Sequence, residues 1–273
     1  MSFDAEVKEF LQKENIDFTE KNELLRSSDF PLLFVSSHPI CIHCISITPG
    51  SKNNSEHYFS QLSDEANEKK IRLIHLWEDV WKHHEELVRS RILALFGRSK
   101  RIHGRQTEIV RLNKKVADDF LIENHLHGTT NAYYKFGLTL NDELVAVATF
   151  SKSRVMNDSQ ALYRSYELVR FASLKGTTIT GGLSKLLNYF INEFHPAHIM
   201  TYADRDWSSG ESYTKLGFTF SGNTKPQEFF IHPGEMIRLY PHRLKETEDL
   251  LLKKGYLKIY NAGNAKFILD RRR

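Results

Sequence analysis

Arg170 stands in YELVRFAS (Tyr166 to Ser173), a run that is otherwise apolar. A guanidinium there has to meet a carboxylate, a phosphate or a ligand, because burying the charge alone is costly. An ion pair with Asp204 or Glu167 satisfies that demand as well as a place in a binding site does. Farther on, Thr180, Gly181 and Gly182 deliver the chain into LSKLLNYFINEF. A glycine-led helix entry offers backbone N–H groups and the positive end of the helix dipole to an anion. Thr180, Gly181, Gly182, Ser184 and Lys185 are therefore candidate anion contacts, with Ser184 either capping the helix or donating to a phosphate. Asp204 and Arg205 close HIMTYAD at the strand end where open α/β sheets bind ligands. Tyr213, after the GES turn, either packs or serves as a general acid toward a leaving thiolate. His125 and His127 of ENHLHG are candidate bases at neutral pH. With 13 histidines in the chain, a surface loop explains either of them as readily.

The elements that would hold these groups follow from periodicity. Leu183, Leu186, Leu187, Phe190, Ile191 and Phe194 recur at helical spacing, and His195-Pro196 ends that helix. HIMTYAD reads as a buried strand, and SYTKLGFTFSG as a helical turn that breaks at Gly217 into another strand. The order is strand, glycine turn, helix, strand. Upstream, TEIVRLNKKVADDFLIENH gives a strand and a helix ending at Asn124-His125, followed by a hairpin turned at Asn141-Asp142. Residues 106–240 thus form one expected module. Residues 1–98 form another: a helix from Asp4 to Lys13, paired strands in PLLFVSS and HPICIHCISI, a helix from Ser63 to Lys70, a strand from Ile71 to Trp77, and a helix stopped by Gly97. Between the modules, residues 99–105 read as a basic linker. Arg98, Lys100, Arg101, His103 and Arg105 there either neutralise phosphates or are simply solvated. The tail, residues 241–273, reads as a helix over Leu244 to Lys253 and a basic hairpin of YLKIY and AKFIL packed on the second module. Lys258 in the hairpin and Arg205 join the candidate phosphate contacts.

Composition bounds the rest. At 273 residues, 40% hydrophobic and 12% aromatic, one large or two small cores are expected. No apolar run approaches the roughly 20 residues of a membrane span. The acid-bearing start MSFDAEVKEF argues against export, so a soluble cytoplasmic protein is expected. Cys41 and Cys44 supply two of the four ligands zinc wants, and the surrounding run is that of a buried strand. No metal is expected. A formal charge of +4 permits a polyanionic partner without requiring one.

Two resemblances sharpen these readings. The hairpin, the later strand and the glycine-rich helix entry resemble the GNAT acyltransferase fold, which cradles the pyrophosphate of acyl-coenzyme A on that turn. TITGGLSK keeps glycines but departs from the usual Gln or Arg followed by G-x-G or G-x-A. ELVRF, the LSK helix start and TYADRDWSSGESYTKLGFTFSG are similar to the Mom family of phage DNA-modification proteins. With ENHLHG before and GYLKIYNAGNAKF after, the stretch also resembles the carboxy-terminal regions of phage and mobile-element homing endonucleases, whose first module is of the very-short-patch-repair or restriction-endonuclease type. The resemblance implies an α/β (α+β) chain: a degenerate restriction-endonuclease-like module followed by a GNAT-like mixed-sheet domain. It nominates Arg170, Ser184, Asp204 and Tyr213, with His125 or His127 as base, an acyl-coenzyme A donor, and double-stranded DNA as partner. The nuclease ligands are missing: PLLFVSS and ICIHCIS carry no carboxylate, His43 stands where the family has Glu, and Asp29, Glu23, Glu56 and Asp79 match no metal-binding spacing. The implied function is DNA-directed group transfer; the alternatives are a homing endonuclease whose second module only binds DNA, and a pseudoenzyme that serves as a binding module.

Overall fold

The computed structural model describes residues 1–20, 25–26, 28–49, 55–157 and 162–272. Its first elements are α1 (Phe3–Lys13), β1 (Phe18–Thr19), β2 (Leu32–Val35), β3 (Ile40–Ile45), α2 (Tyr58–Glu68), β4 (Arg72–Trp77) and α3 (Glu78–Leu95). There follow β5 (Lys100–His103), β6 (Glu108–Arg111), α4 (Lys114–Asn124), β7 (Tyr134–Leu140), β8 (Glu143–Phe150), β9 (Arg154–Asn157), β10 (Leu162–Ser173), β11 (Thr177–Thr180), α5 (Gly182–Phe194) and β12 (His198–Asp204). The chain ends with α6 (Glu211–Thr214), β13 (Thr219–Asn223), β14 (Glu228–Ile231), β15 (Arg238–Leu239), α7 (Glu248–Lys253), β16 (Leu257–Tyr260) and β17 (Asn264–Asp270). Two units emerge. Unit 1 is Met1–His83, Ala203–Glu211 and Gly222–Lys266; unit 2 is His84–Tyr202, Ser212–Ser221 and Phe267–Arg273.

In unit 1 the sheet order is β1-β2-β3-β4, with β2 and β3 antiparallel and β3 and β4 parallel. A parallel pair needs a crossover, and α2 supplies it. Every residue of β3 is buried, as expected of an inner strand covered on both faces. Cys41 and Cys44 are accordingly free and buried, and burial pushes both thiols up. Among the described residues no group of three His, Cys, Asp or Glu is placed to hold a metal. The later strands β15-β14-β16 form a second sheet, and Phe229, Ile231 and Ile259 join Phe59, Leu62 and Trp77 in one core.

Unit 2 is built on a mixed sheet of order β13-β17-β12-β10-β8-β7-β6, with β9 pairing β10. β6, β7, β8 and β10 alternate antiparallel, whereas β10 and β12 are parallel. The hairpin β7–β8 turns at Asn141 and Asp142, both with positive φ, 50° and 65°, the geometry of a type I′ turn. α5 covers one face: the Phe150 and Phe190 rings stack at 3.9 Å and 3°. α4 covers the other with Ala117, Phe120 and Leu121 against Val147 and Ala172. The architecture is mixed α/β.

Three expectations of organisation are corrected. The supposed linker is folded: β5 pairs in parallel with β11, Ile102 opposite Ile179 and His103 opposite Thr180. Basic residues sit on it because a two-stranded ribbon needs only its Ile102 side buried. The units part at His84, a non-helical residue inside α3, and not near residue 98. The tail is no hairpin either, since β16 pairs with β14 and β17 joins the large sheet. Phe229 and Ile259 face each other across that ladder, and burying both outweighs a local turn.

Candidate active site

The parallel pairing of β10 with β12 covers Ser165 to Leu168 against His198 to Thr201 and goes no farther, although β10 continues to Ser173. On the other side of β10 the register slips between Leu168 and Arg170: Leu168 faces Phe150 and Arg170 faces Thr149. Val169 is thus the extra residue of a β-bulge, which bends its strand and locally breaks the ladder. The two strands part where the bulge sits. Thr201 closes the paired end, its hydroxyl donating to the Leu168 carbonyl at 3.0 Å.

Tyr213, from α6, brings its hydroxyl to Thr201. Burial raises its pKa; the Thr201 hydrogen bond and the charges of Arg91 and Arg170 oppose the rise. The phenol therefore stays protonated at neutral pH, as a proton donor must. Arg170 lies on the strand at the bulge, with Nη1 donating to the Val169 carbonyl at 3.0 Å. The Thr149 hydroxyl opposite is 2% exposed and has no hydrogen-bond partner among the described residues. A buried polar group of that kind is uncommon and marks a place where a ligand or water would be accommodated.

The glycine turn belongs to the same unit. Gly181 is the N-cap of α5 at φ 75°, and a side chain added there would meet open space. Gly182 has no such freedom, because a Cβ would lie 2.7 Å from Ile179 Cγ2. Among the described residues no side chain caps the helix, so Ser184, in its first turn, is not the cap. The N–H groups of residues 182–184 have no place in the helix's own ladder. Thr180 and Gly181 are exposed. Gly104, after β5, lies against the other side of the turn; a Cβ on it would come within 3.1 Å of the Gly181 carbonyl carbon. Lys185 clamps this arrangement by donating to the carbonyls of Gly104, at 3.0 Å, and Thr107. Its ammonium holds the turn in shape and is not presented to an anion.

Other sequence candidates are placed elsewhere. Asp204 is in unit 1, where its carboxylate accepts the Asp206 N–H at 3.0 Å and its carbonyl accepts from Trp207 and Ser208. It shapes the turn after β12. Arg205, expected at a phosphate, is 7% exposed and donates to the carbonyls of Ala262 and Ser60 and to Asp64. An inward guanidinium with three protein acceptors offers nothing to a polyanion. Lys258 is held between Glu228 and Glu248. Arg98, Lys100, Arg101 and Arg105 are exposed. His125 and His127 adjoin at the end of α4, the His127 N–H donating to His125 Nδ1 at 3.1 Å. Of the carboxylates considered for a nuclease, Asp79 is 5% exposed and held by Arg238 through two bonds of 2.6 and 2.9 Å. That takes it out of a metal site. Glu56 and Asp29 are exposed, and Glu23 lies outside the described residues.

No family model matches the chain, and no curated protein matches it. Among solved structures, it is similar to a GNAT family acetyltransferase from Elizabethkingia anophelis with acetyl-CoA bound, at 11% identity over 60% of this chain and 98% of that one, TM-score 0.38. It is similar also to the ribosomal-protein-S18-alanine N-acetyltransferase from Escherichia coli, at 16% identity over 61% and 95%, TM-score 0.37. A Bacillus subtilis acetyltransferase in complex with CoA gives 15% identity over 60% and 98%, TM-score 0.36. At such TM-scores and identities the likeness assigns neither family nor activity to this chain.

Sequence reasoning named none of Thr201, Thr149 and Arg91. Nothing local marks these three. A threonine in a strand reads as ordinary β-former, and Arg91 reads as one more charge on α3; only the approach of α6 brings Thr201 and Arg91 to Tyr213, and only the register sets Thr149 opposite Arg170.

Proposed function

We propose that unit 2 is a GNAT-like acyltransferase that takes an acyl group from a coenzyme A thioester and passes it to an amine of duplex DNA, in the manner of Mom-type modification proteins. The observation that carries the transferase part is the parting of β10 and β12 at the Val169 bulge with the Tyr213 hydroxyl at its closed end. A crevice between two parallel strands admits a slender thioester arm, and a protonated phenol at its base can meet the sulfur. Tyr213 gives its proton to the sulfur as the carbon–sulfur bond breaks and the amine nitrogen bonds to the acyl carbon. The amine's proton passes to solvent water. The first-turn N–H groups of α5, with Thr180 and Gly181 exposed beside them, suit the donor's pyrophosphate. His103 stands opposite Thr180 on the neighbouring strand, and the exposed Arg105, two residues on, carries positive charge. DNA as acceptor is supported by the exposed Arg98, Lys100, Arg101 and Arg105 and by the Mom resemblance of residues 167–222.

Calorimetry with acetyl-coenzyme A tests the donor, with binding expected in the micromolar range that such enzymes use. A folded protein that takes up no coenzyme A at millimolar concentration ends the transferase reading. Mass analysis of nucleosides after co-expression with plasmid DNA tests the acceptor: an added acyl mass is expected, and unmodified bases alongside confirmed donor binding point to another amine.

A further inference from the structure

Among the described residues β9 pairs only with the first residues of β10, Arg154 opposite Ser165, Val155 opposite Arg164, Met156 opposite Tyr163 and Asn157 opposite Leu162. This is a two-stranded ribbon whose β9 strand is exposed throughout. Residues directly opposite share a face and faces alternate along a strand. One face therefore carries Val155, 62% exposed, and Leu162, 71% exposed, beside the exposed Arg164. The other carries Arg154 and Met156, 39% exposed. Apolar side chains this open on both faces serve no core.

Positive charge predominates on the ribbon. Residues 152–165 hold Lys152, Arg154 and Arg164 against one acid, Asp158, and neither paired segment, 154–157 or 162–165, contains an acid. Lys152, Arg154 and Arg164 are exposed, and Arg164 reaches along the ribbon to the Ser153 hydroxyl at 3.0 Å. Glu167, two residues beyond, is the nearest acid on β10. A two-stranded ribbon is of a size that fits a DNA groove, and apolar side chains flanked by arginines are the pattern that wedges against base steps while cations sit on phosphates. An acidic protein would suit the arginines equally but gives exposed Val155 and Leu162 no edge of stacked bases to meet.

We infer that the β9–β10 ribbon is the arm by which this chain grips duplex DNA, with Arg154 and Arg164 on phosphates and Val155 and Leu162 against the groove. The inference rests on the DNA-directed reading of unit 2 and moves its main contact away from residues 98–105. Val169 is five positions beyond Arg164 on β10, roughly 16 Å of strand, so the arm and the crevice share one element.

The test is equilibrium binding of the full chain to a short fluorescent duplex of mixed sequence, from about 50 to 200 mM salt, with coenzyme A binding measured on the same samples. Arg154→Ala/Arg164→Ala should weaken binding and flatten the log–log salt slope by about 1.8, two phosphate contacts at about 0.9 each. Val155→Ser/Leu162→Ser should weaken binding with the slope unchanged. Neither pair should alter coenzyme A binding or the melting temperature, since all four side chains are exposed. Wild-type binding that both variants reproduce overturns the arm while leaving DNA as partner. A wild type that binds no duplex, or binds polyglutamate as well as DNA, overturns both the arm and DNA, and the coenzyme A measurement then still judges the transferase reading by itself.

Discussion

The Nδ1 atoms of His43 and His75 lie 3.0 Å apart with both rings fully buried, on adjacent parallel strands at the same register. His75 Nε2 faces the Phe59 carbonyl at 3.2 Å and the Ser63 hydroxyl at 2.9 Å. A carbonyl only accepts, so His75 carries its proton on Nε2 and its Nδ1 is the acceptor. His43 must then donate from Nδ1, which leaves its Nε2 to accept from Ser28, 2.8 Å away. The Ser28 oxygen in turn accepts the Phe30 N–H at 3.1 Å. Every position in this relay is filled with both imidazoles neutral. This is what a sheet interior with two histidines requires.

A second proton on either ring breaks the relay, and unit 1 should lose stability in acid. Burial lowers both histidine pKa values, that of His75 to about 3. Groups lowered in the fold stabilise it fully above their unfolded pKa and lose that contribution as pH falls below it. The window opens at about pH 6.5, and each unit below costs about 1.4 kcal/mol per histidine that stays neutral. Asp206 acts in the opposite sense: burial first, then Asp204, pushes it up to about 7, so its contribution falls as pH rises between about 4 and 7. Two histidines against one carboxyl give a net loss in acid. Urea midpoints should drop between pH 7 and 5, and a flat profile contradicts the neutral relay.

Asp79 and Arg238 form a two-bonded ion pair inside unit 1, and the Arg238 guanidinium lies 4.2 Å from the centre of the Phe229 ring. Asp79→Asn should destabilise by about 3–5 kcal/mol, because an uncompensated buried cation remains. Asp79→Leu/Arg238→Met, which removes both charges, should recover most of that loss. Chemical denaturation measures both. A fully stable Asp79→Asn that loses metal-dependent nicking of DNA would revive the nuclease alternative.

Tyr213→Phe isolates the proton donor. The substitution keeps the ring between Phe218 and Phe267 and removes one hydrogen bond, worth about 1 kcal/mol. Thiol release from acetyl-coenzyme A in the presence of duplex DNA should slow by about a hundredfold or more, with coenzyme A affinity unchanged. An equal rate would leave Tyr213 as packing alone.

Gly181 and Gly182 should respond differently to alanine. At Gly182 the new methyl meets Ile179 at 2.7 Å, and overpacking should cost about 1–3 kcal/mol. At Gly181 there is space, but φ of 75° strains an L residue by about 1–2 kcal/mol. Gly181→Ala should therefore fold and, by narrowing the approach to the turn, weaken coenzyme A binding. Melting curves and calorimetry separate the two effects.

Much of the secondary structure was written in local pattern. The helical spacing from Leu183 to Phe194, the Asn141-Asp142 turn and the apolar run at Cys41 and Cys44 each specify their element through nearest neighbours, and each appears as expected. Local pattern also marked Arg170, because a lone charge in an apolar run stands out along the chain; Tyr213 was named by its place after the GES turn and by the resemblance. Where a charge points is another matter. Arg205 reads as a phosphate contact, yet it lies inside because Asp64 and two carbonyls from distant segments meet it there. The basic run at 98–105 became a strand only because β11, some 75 residues later, lined up beside it. The Val169 bulge, the opening of β10 from β12 and the His43–His75 relay exist only between strands. Periodicity reports which face of an element is buried; the register that aligns one element with the next depends on the packing of the whole unit, and that set the site.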